Sequence, residues 1–195
     1  LSYFSRFSCT LCFIPDCDMP KDGEQFGRGE QFVFANGRLA TEMGFQVSVR
    51  EIPKEGNKKE DADSYITSLQ RWETLTEKDF ILWYADKHYD ADSTNDDQLK
   101  VICDVCDLLV NIQSDVLQAS LLSDLKGKYR KASVWKGALA DAARRRQEQK
   151  RRQANKKSEE LEGYHFYRKG FHYYDVDPQG REPVSYTHLR AHETE

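Results

Sequence analysis

The chain has 195 residues, 38% of them hydrophobic and 32% charged, with a net charge of -4. That length allows one domain with a real core and part of a second. No apolar run approaches the roughly 20 residues of a membrane helix, no secretory leader opens the sequence, and five cysteines in a chain this long do not make a disulfide scaffold, so a reducing cytoplasm is the expected setting.

The predicted elements begin with CTLCFIP, Cys9 to Pro15, a short continuously apolar run of the kind expected for a strand buried on both faces. It stops at Asp16 and Asp18, two acids separated by one residue. A loop with Gly23, Gly27 and Gly29 follows. Phe32, Leu39 and Met43 then recur at near-helical spacing up to Gly44, a helix stop. Phe45, Val47 and Val49 alternate with polar residues as a half-buried strand does, and Ile52-Pro53 ends it. After the charged loop KEGNKKED, Ala62 to Trp72 reads as a helix that opens on a second acidic pair, Asp61 and Asp63.

The segment KDFILWYADKHY, residues 78 to 89, fits strand or helix. Thr94 with Asp97 resembles a capping box. Val101, Val105, Leu108, Leu109, Ile112, Val116 and Leu117 form an apolar stripe. Trp135 and Leu139 face inward near the start of a long basic helix, and GYHFYRKGFHYYDVDPQG reads as a first hairpin of a further domain. Charge is segregated: Lys126 to Lys157 holds thirteen bases and two acids, a local balance of +11, and the remainder carries -15. Such asymmetry speaks of partners rather than of fold. The sequence opens on Leu1 and reads as an internal piece. VSYTHLRAHET, from Val184, reads as a translated sequencing adapter, so Val184 to Glu195, with His188 and His192, are set aside.

Strand, helix, strand, helix is the order of an α/β domain with a parallel sheet, in which ligands bind beyond the carboxyl ends of the strands. Both acidic pairs follow strands, so both are expected to open on one crevice. Carboxylates are hard oxygen ligands suited to Mg²⁺ or Mn²⁺. Four converging on metal ions would steady the attacking and leaving oxygens of a phosphoryl transfer.

The same residues resemble a known family. FIPDCD is similar to the strand and Asp-x-Asp of the Toprim domain of bacterial-type DNA primases, and EIPKEGNKKEDADSYI to that domain's Pro-x-Gly…Asp-x-Asp segment. The likeness covers about residues 9 to 72 and is nearest to mobile-element or phage primases and primase-helicases. It implies a Rossmann-like Toprim fold and RNA primer synthesis by nucleotidyl transfer. DNA template and nucleotides would be the partners, with a replicative helicase fused or separate. It also implies Asp16, Asp18, Asp61 and Asp63 as metal ligands. Two departures stand out: MPKDGEQFGRG replaces the shorter Ala-Gly loop, and Ala62 replaces a Pro. The family's catalytic Glu lies on an earlier strand, which places it upstream of this piece. The parent is then the enzyme, and the piece alone is expected to be inactive.

The corresponding division is a partial Toprim domain over 1–75, a helical extension over 76–140, a basic helix or linker over 141–162 and a hairpin over 163–183. Lys21, Arg28, Lys126, Lys128, Arg130 and Lys131 are the candidate nucleic-acid contacts, because bases at this density hold phosphates without reading sequence. Cys9-x-x-Cys12 and Cys103-x-x-Cys106 have ligand-like spacing. However, one pair lies on a strand that points its members to opposite sides and the other on a helix among core positions. A shared zinc site on these pairs is therefore not expected; the primase resemblance implies zinc, if at all, only in an N-terminal module that this sequence does not contain. Rival readings are a haloacid-dehalogenase-like phosphatase, another Toprim enzyme such as a topoisomerase or nuclease, and a nucleic-acid-binding module without catalysis.

Overall fold

In a computed structural model of the protein, the residues described are 9–53, 61–129, 132–162, 165–169 and 172–176. They divide into two compact units, Leu1–Arg144 and Arg145–Glu195. The first carries a three-stranded sheet with helices, a mixed α/β arrangement. Its elements in order are β1 (Thr10–Phe13), α1 (Arg28–Glu42), β2 (Gln46–Arg50), α2 (Ala62–Tyr65), α3 (Leu69–Thr74), β3 (Glu77–Asp79), α4 (Phe80–His88), α5 (Asn95–Leu109) and α6 (Asp115–Lys128). A long helix, α7 (Ala132–Glu162), begins in this unit.

The sheet order is β1-β2-β3. β1 and β2 are parallel, with Leu11 opposite Val47 and Phe13 opposite Val49. β3 is antiparallel to β2, with Arg50 opposite Glu77. The sheet is thus mixed rather than wholly parallel, because β3, which follows α2 and α3, lies antiparallel alongside β2. Leu11, Phe13, Val47 and Val49 share one face and pack into the core. Thr10, Cys12 and Gln46 lie on the other face and are exposed. β1 is therefore a half-exposed edge strand, not one buried on both faces.

α1 forms where the glycine loop ends and stops where expected: Gly44 follows it at φ +89, in the left-handed region that glycine enters without strain. Its buried face differs from the predicted one. Val33, Gly37, Ala40 and Thr41 face inward, whereas Phe32 and Leu39 are 60% and 47% exposed. Gly37 is needed for close packing, since a Cβ there would lie 2.5 Å from the Phe80 ring. The stretch expected as one helix from Ala62 to Trp72 is two short ones. Asp61 caps α2, and Ser68 restarts the chain as cap of α3 by accepting from the Arg71 amide.

The ambiguous segment at 78–89 resolves as the end of β3 followed by α4, which contributes Phe80, Ile81, Trp83, Tyr84 and Ala85 to the core. Thr94 caps α5 as its spacing predicted: its hydroxyl accepts from the Asp97 amide at 3.2 Å and donates to the Asp97 carboxylate at 2.7 Å, a cap worth about 1 kcal/mol. The apolar stripe after it is broken between α5 and α6. Ile102, Val105, Leu108 and Leu109 are buried, but Val116, past the turn, is 82% exposed. Trp135 and Ala142 of α7 are buried at 1% and Leu139 is half-buried, which docks the start of that helix on the core. Residues 76–140 therefore share a core with the first 75, through β3, α4 and α5.

In the second unit α7 continues as a helix, and β4 (His165–Lys169) pairs antiparallel with β5 (His172–Val176), the hairpin expected there. The set-aside segment from Val184 onward lies outside the described residues, as does the charged loop at 54–60. Among the described residues no helix is long and apolar enough to cross a membrane.

Candidate metal centre

The first acidic pair sits where β1 runs out. Pro15 is buried, Asp16 exposed, Cys17 and Asp18 half-buried. The Asp18 amide donates to the Asp16 carbonyl at 2.8 Å, so the backbone folds into a tight turn at Cys17. The Cys17 thiol donates to the Ile52 carbonyl at 3.4 Å, which ties the turn to the chain just beyond β2. The N-terminal end of α1 is pressed against this turn. A Cβ at Gly27 would lie 2.2 Å from the Asp18 carbonyl oxygen, and one at Gly29 would lie 2.6 Å from the carbonyl oxygen and 2.7 Å from the nitrogen of Asp16. Two of the three loop glycines thus let the start of a helix lie against the acid-bearing backbone.

Three further charged groups brace this contact. Glu30, only 8% exposed, accepts from the Gly27 amide through Oε2 at 3.2 Å. Its Oε1 takes the Lys87 ammonium of α4 at 2.7 Å, and the same ammonium lies 2.7 Å from Oε1 of Glu51, the residue after β2. Burial pulls the Lys87 pKa down, but the hydrogen bonds and charges of Glu30 and Glu51 outweigh it and hold the ammonium above its ordinary value. Burial pushes Glu51 up, and Lys87 in turn brings it below the usual carboxylate range. One half-buried cation therefore clamps α1, β2 and α4 together beside the acid turn. Nothing in the sequence pattern marks this clamp, because Lys87 reads as the ordinary polar end of an apolar helix.

The second pair follows β2 through the undescribed loop. Asp61 and Asp63 are both exposed. The Asp61 Oδ1 accepts from the Ser64 amide at 2.8 Å while its own amide donates to the Ser64 hydroxyl at 3.2 Å, a helix cap for α2. Among the described residues no three or more His, Cys, Asp or Glu side chains gather where they could hold a metal ion. Asp16 and Asp18 taken alone suit an ion such as Mg²⁺, which keeps several waters and takes one or two carboxylates besides substrate phosphates.

The basic candidates are dispersed. Lys21 and Arg28 are exposed on the loop and at the start of α1. Lys126 is half-buried, and Lys128 is paired with Asp86 at 2.5 Å. Asp86 also accepts from Tyr129 and lies 3.4 Å from Lys78. Burial raises the Asp86 pKa, and these partners lower it below its usual value on balance. Lys128 therefore has a carboxylate beside it at the surface, although its side chain is 60% exposed. Arg130 and Lys131 lie outside the described residues. On α7 the bases Arg144, Arg145, Lys150, Arg151 and Arg152 are exposed, and Arg144 pairs with Asp141 of the previous turn. The five cysteines form no disulfide. Cys106 is buried and Cys12 exposed, so members of the two Cys-x-x-Cys pairs differ in access as a strand and a helix dictate.

No family model matches the chain, and neither the curated proteins nor the solved structures contain a match. The class that can be stated from fold and site is a mixed α/β unit with an acid-bearing turn at the carboxyl end of a parallel strand.

Proposed function

We propose that the chain is a piece of a primase whose Toprim-type domain makes RNA primers on a DNA template by Mg²⁺-dependent nucleotidyl transfer. The observation that carries the reading is the placement of Asp16 and Asp18. They stand on a tight turn at the carboxyl end of β1, parallel to β2, with the start of α1 brought into backbone contact by Gly27 and Gly29. That is where α/β sheets bind their ligands.

In this reading Asp16 and Asp18 are metal ligands, with Asp61 and Asp63 joining them. Mg²⁺ held there would offset negative charge on the reacting phosphates. Lys21 and Arg28, exposed beside the turn, offer positive charge to template or nucleotide phosphates. Glu30, Glu51 and Lys87 fix the turn against α4 and are positioning residues.

The test is Mn²⁺ titration followed by electron paramagnetic resonance, with wild type compared to Asp16→Asn and to Asp16→Asn/Asp61→Asn. The expected result is one site in the wild type that weakens with the first change and is lost with the second. Equal binding by all three sinks the metal reading.

One observation favours a second reading, a nucleic-acid-binding module without catalysis. α7 presents exposed bases from Arg144 to Arg152 on a helix with little apolar surface. DNA binding that is indifferent to Asp16→Asn and to added metal supports that alternative.

A further inference from the structure

Among the described residues, one side of the first unit ends at an open sheet edge, where β1 pairs with β2 alone. Its outer edge, Thr10 to Phe13, carries none of the lysines, prolines or bulges that keep edge strands from pairing. The uncovered face of α1 stands on the same side. Phe32 is 60% exposed, and its ring lies 6.4 Å from that of Phe13 on β1. Phe34, on the opposite side of the helix, packs on Trp83, Tyr84 and His88 of α4. At 3.6 residues per turn, Phe32, Ala35 and Leu39 fall within about 60° of arc. Open strand edge and apolar helix stripe are therefore one continuous surface, of the kind that marks an interface.

The charges on this surface identify its occupant. Arg28 lies seven residues before Ala35 and Glu42 seven after it. Both are exposed, and neither makes an ion pair among the described residues. Arg38, one turn before Glu42, makes its ion pair with Asp104 at 3.7 Å and feels Glu42 only as a more distant charge, the last of the influences that raise its pKa. Each of the two charges also opposes its own helix dipole, with a cation in the first turn and an anion at the last residue. A second α1 laid antiparallel across Ala35 reverses both defects. It sets Arg28 of each copy against Glu42 and the negative helix end of the other.

We infer that this face is a two-fold interface between two copies of the chain. The axis passes by Ala35, the smallest residue of the stripe, where helices can approach to about 8–10 Å. The same axis acts on β1. Phe32 is level with Phe13, and Ala35 lies about 4.5 Å further along the helix. α1 runs back against β1, so this level corresponds to one or two strand residues before Phe13, near Leu11 and Cys12, at about 3.3 Å per residue. A two-fold there pairs β1 antiparallel with its copy and joins two three-stranded sheets into one of six strands. This does not rest on the function proposed above. Glu42 lies about 21 Å along α1 from Arg28, so changes at Leu39 and Glu42 leave the acid turn untouched; Arg28, which that function also offers to phosphates, is changed only in a variant read by association alone.

The experiment is sedimentation equilibrium of the 195-residue chain, with folding of each variant checked by circular dichroism. The wild type is expected at twice 22.7 kDa. Leu39→Asp and Glu42→Arg each place a repulsive group in the interface, and each is expected to weaken the dimer about tenfold or more. Arg28→Glu combined with Glu42→Arg restores opposite charges across the axis and is expected to recover most of the association, a rescue that a different partner would not produce. A short bis-maleimide is expected to cross-link two chains through Cys12, and Cys12→Ser to abolish the product. A wild type that stays monomeric at roughly 100 μM overturns the inference. So does a double variant that is no more associated than Glu42→Arg, or cross-linking that persists without Cys12.

Discussion

Replacing Lys87 by Met keeps the length and most of the packing of the side chain but removes the charge that Glu30 and Glu51 share. Both ion pairs are 2.7 Å long, and the side chains of Lys87, Glu30 and Glu51 are 23%, 11% and 37% exposed. Breaking a fully buried pair costs about 3–5 kcal/mol because a charge is left without a partner, whereas an exposed pair is worth about 0–1 kcal/mol. Glu30 stands near the first limit and Glu51 near the second, so a loss of about 2–4 kcal/mol is expected. At about 2–4 °C per kcal/mol for a chain of this size, the midpoint of thermal unfolding falls by roughly 5–15 °C.

The pH dependence of the same clamp follows from its two shifts. Glu51 is held below its ordinary value of 4.5, so its contribution is full above that pH and is lost as pH falls through the lower folded value. Lys87 is held above 10.5, so its contribution is full below that pH and is lost as pH rises through the higher folded value. Lys87→Met should flatten both limbs, and adding Glu30→Gln should recover part of the lost stability by removing the stranded charge. Urea unfolding followed by tryptophan fluorescence measures all of this. A Lys87→Met protein within about 0.5 kcal/mol of wild type, the range of a neutral surface change, would refute the clamp as a stabilising element.

Three other outcomes are expected. Gly29→Ala drives a Cβ into the Asp16 backbone, which costs about 1–3 kcal/mol by overpacking and should weaken Mn²⁺ binding, whereas Gly137→Ala, with nothing within 4 Å of the new Cβ, should stabilise α7 by up to about 1 kcal/mol. A Gly29→Ala protein as stable as wild type contradicts the close contact. His88 stacks on Tyr84 with ring centroids 4.0 Å apart, and burial, the largest influence, holds its pKa below 6.5. Stability should therefore fall as pH drops from 7.5 through 6.5 toward the lower folded value, and His88→Gln should lose that slope. If the bases of α7 hold DNA, Lys150→Gln/Arg151→Gln/Arg152→Gln should reduce the salt slope of binding by about 0.9 for each phosphate contact removed; an unchanged slope places the contact elsewhere.

What the sequence made legible was local. Gly44 stops α1, Thr94 caps α5, and Trp135 anchors α7, because each is decided by one residue's backbone preference or bulk. What it obscured depends on partners far along the chain. Phe32 and Leu39 have the right period for a buried face, yet Val33 and Ala40, one position round, hold it. The larger side chains lie toward the open edge of β1, a matter that helical spacing alone cannot decide. CTLCFIP is apolar enough for a central strand, but β3 joined the far side of β2 and left β1 at the margin. In the candidate site, the acid pairs were visible as residue types at fixed spacing. Their bracing was not, since Lys87 meets Glu30 and Glu51 across 57 and 36 positions of sequence.

The turn at Cys17 also inverts the usual order of permanence between a strand and the loop that leaves it. Among the described residues of one copy, β1 has a strand neighbour along one edge, so its pairing is closed from that side alone. The Asp18 amide is closed within the turn, and the Gly27 amide is held by a nearly buried Glu30 that α4 secures. In amide exchange on the Glu42→Arg chain, where the outer edge of β1 is left without a second copy, the amides at Asp18 and Gly27 should outlast those of Thr10 to Phe13. In that single copy the acid-bearing loop is a fixed point of the unit, and the strand leading into it is the part that comes loose first.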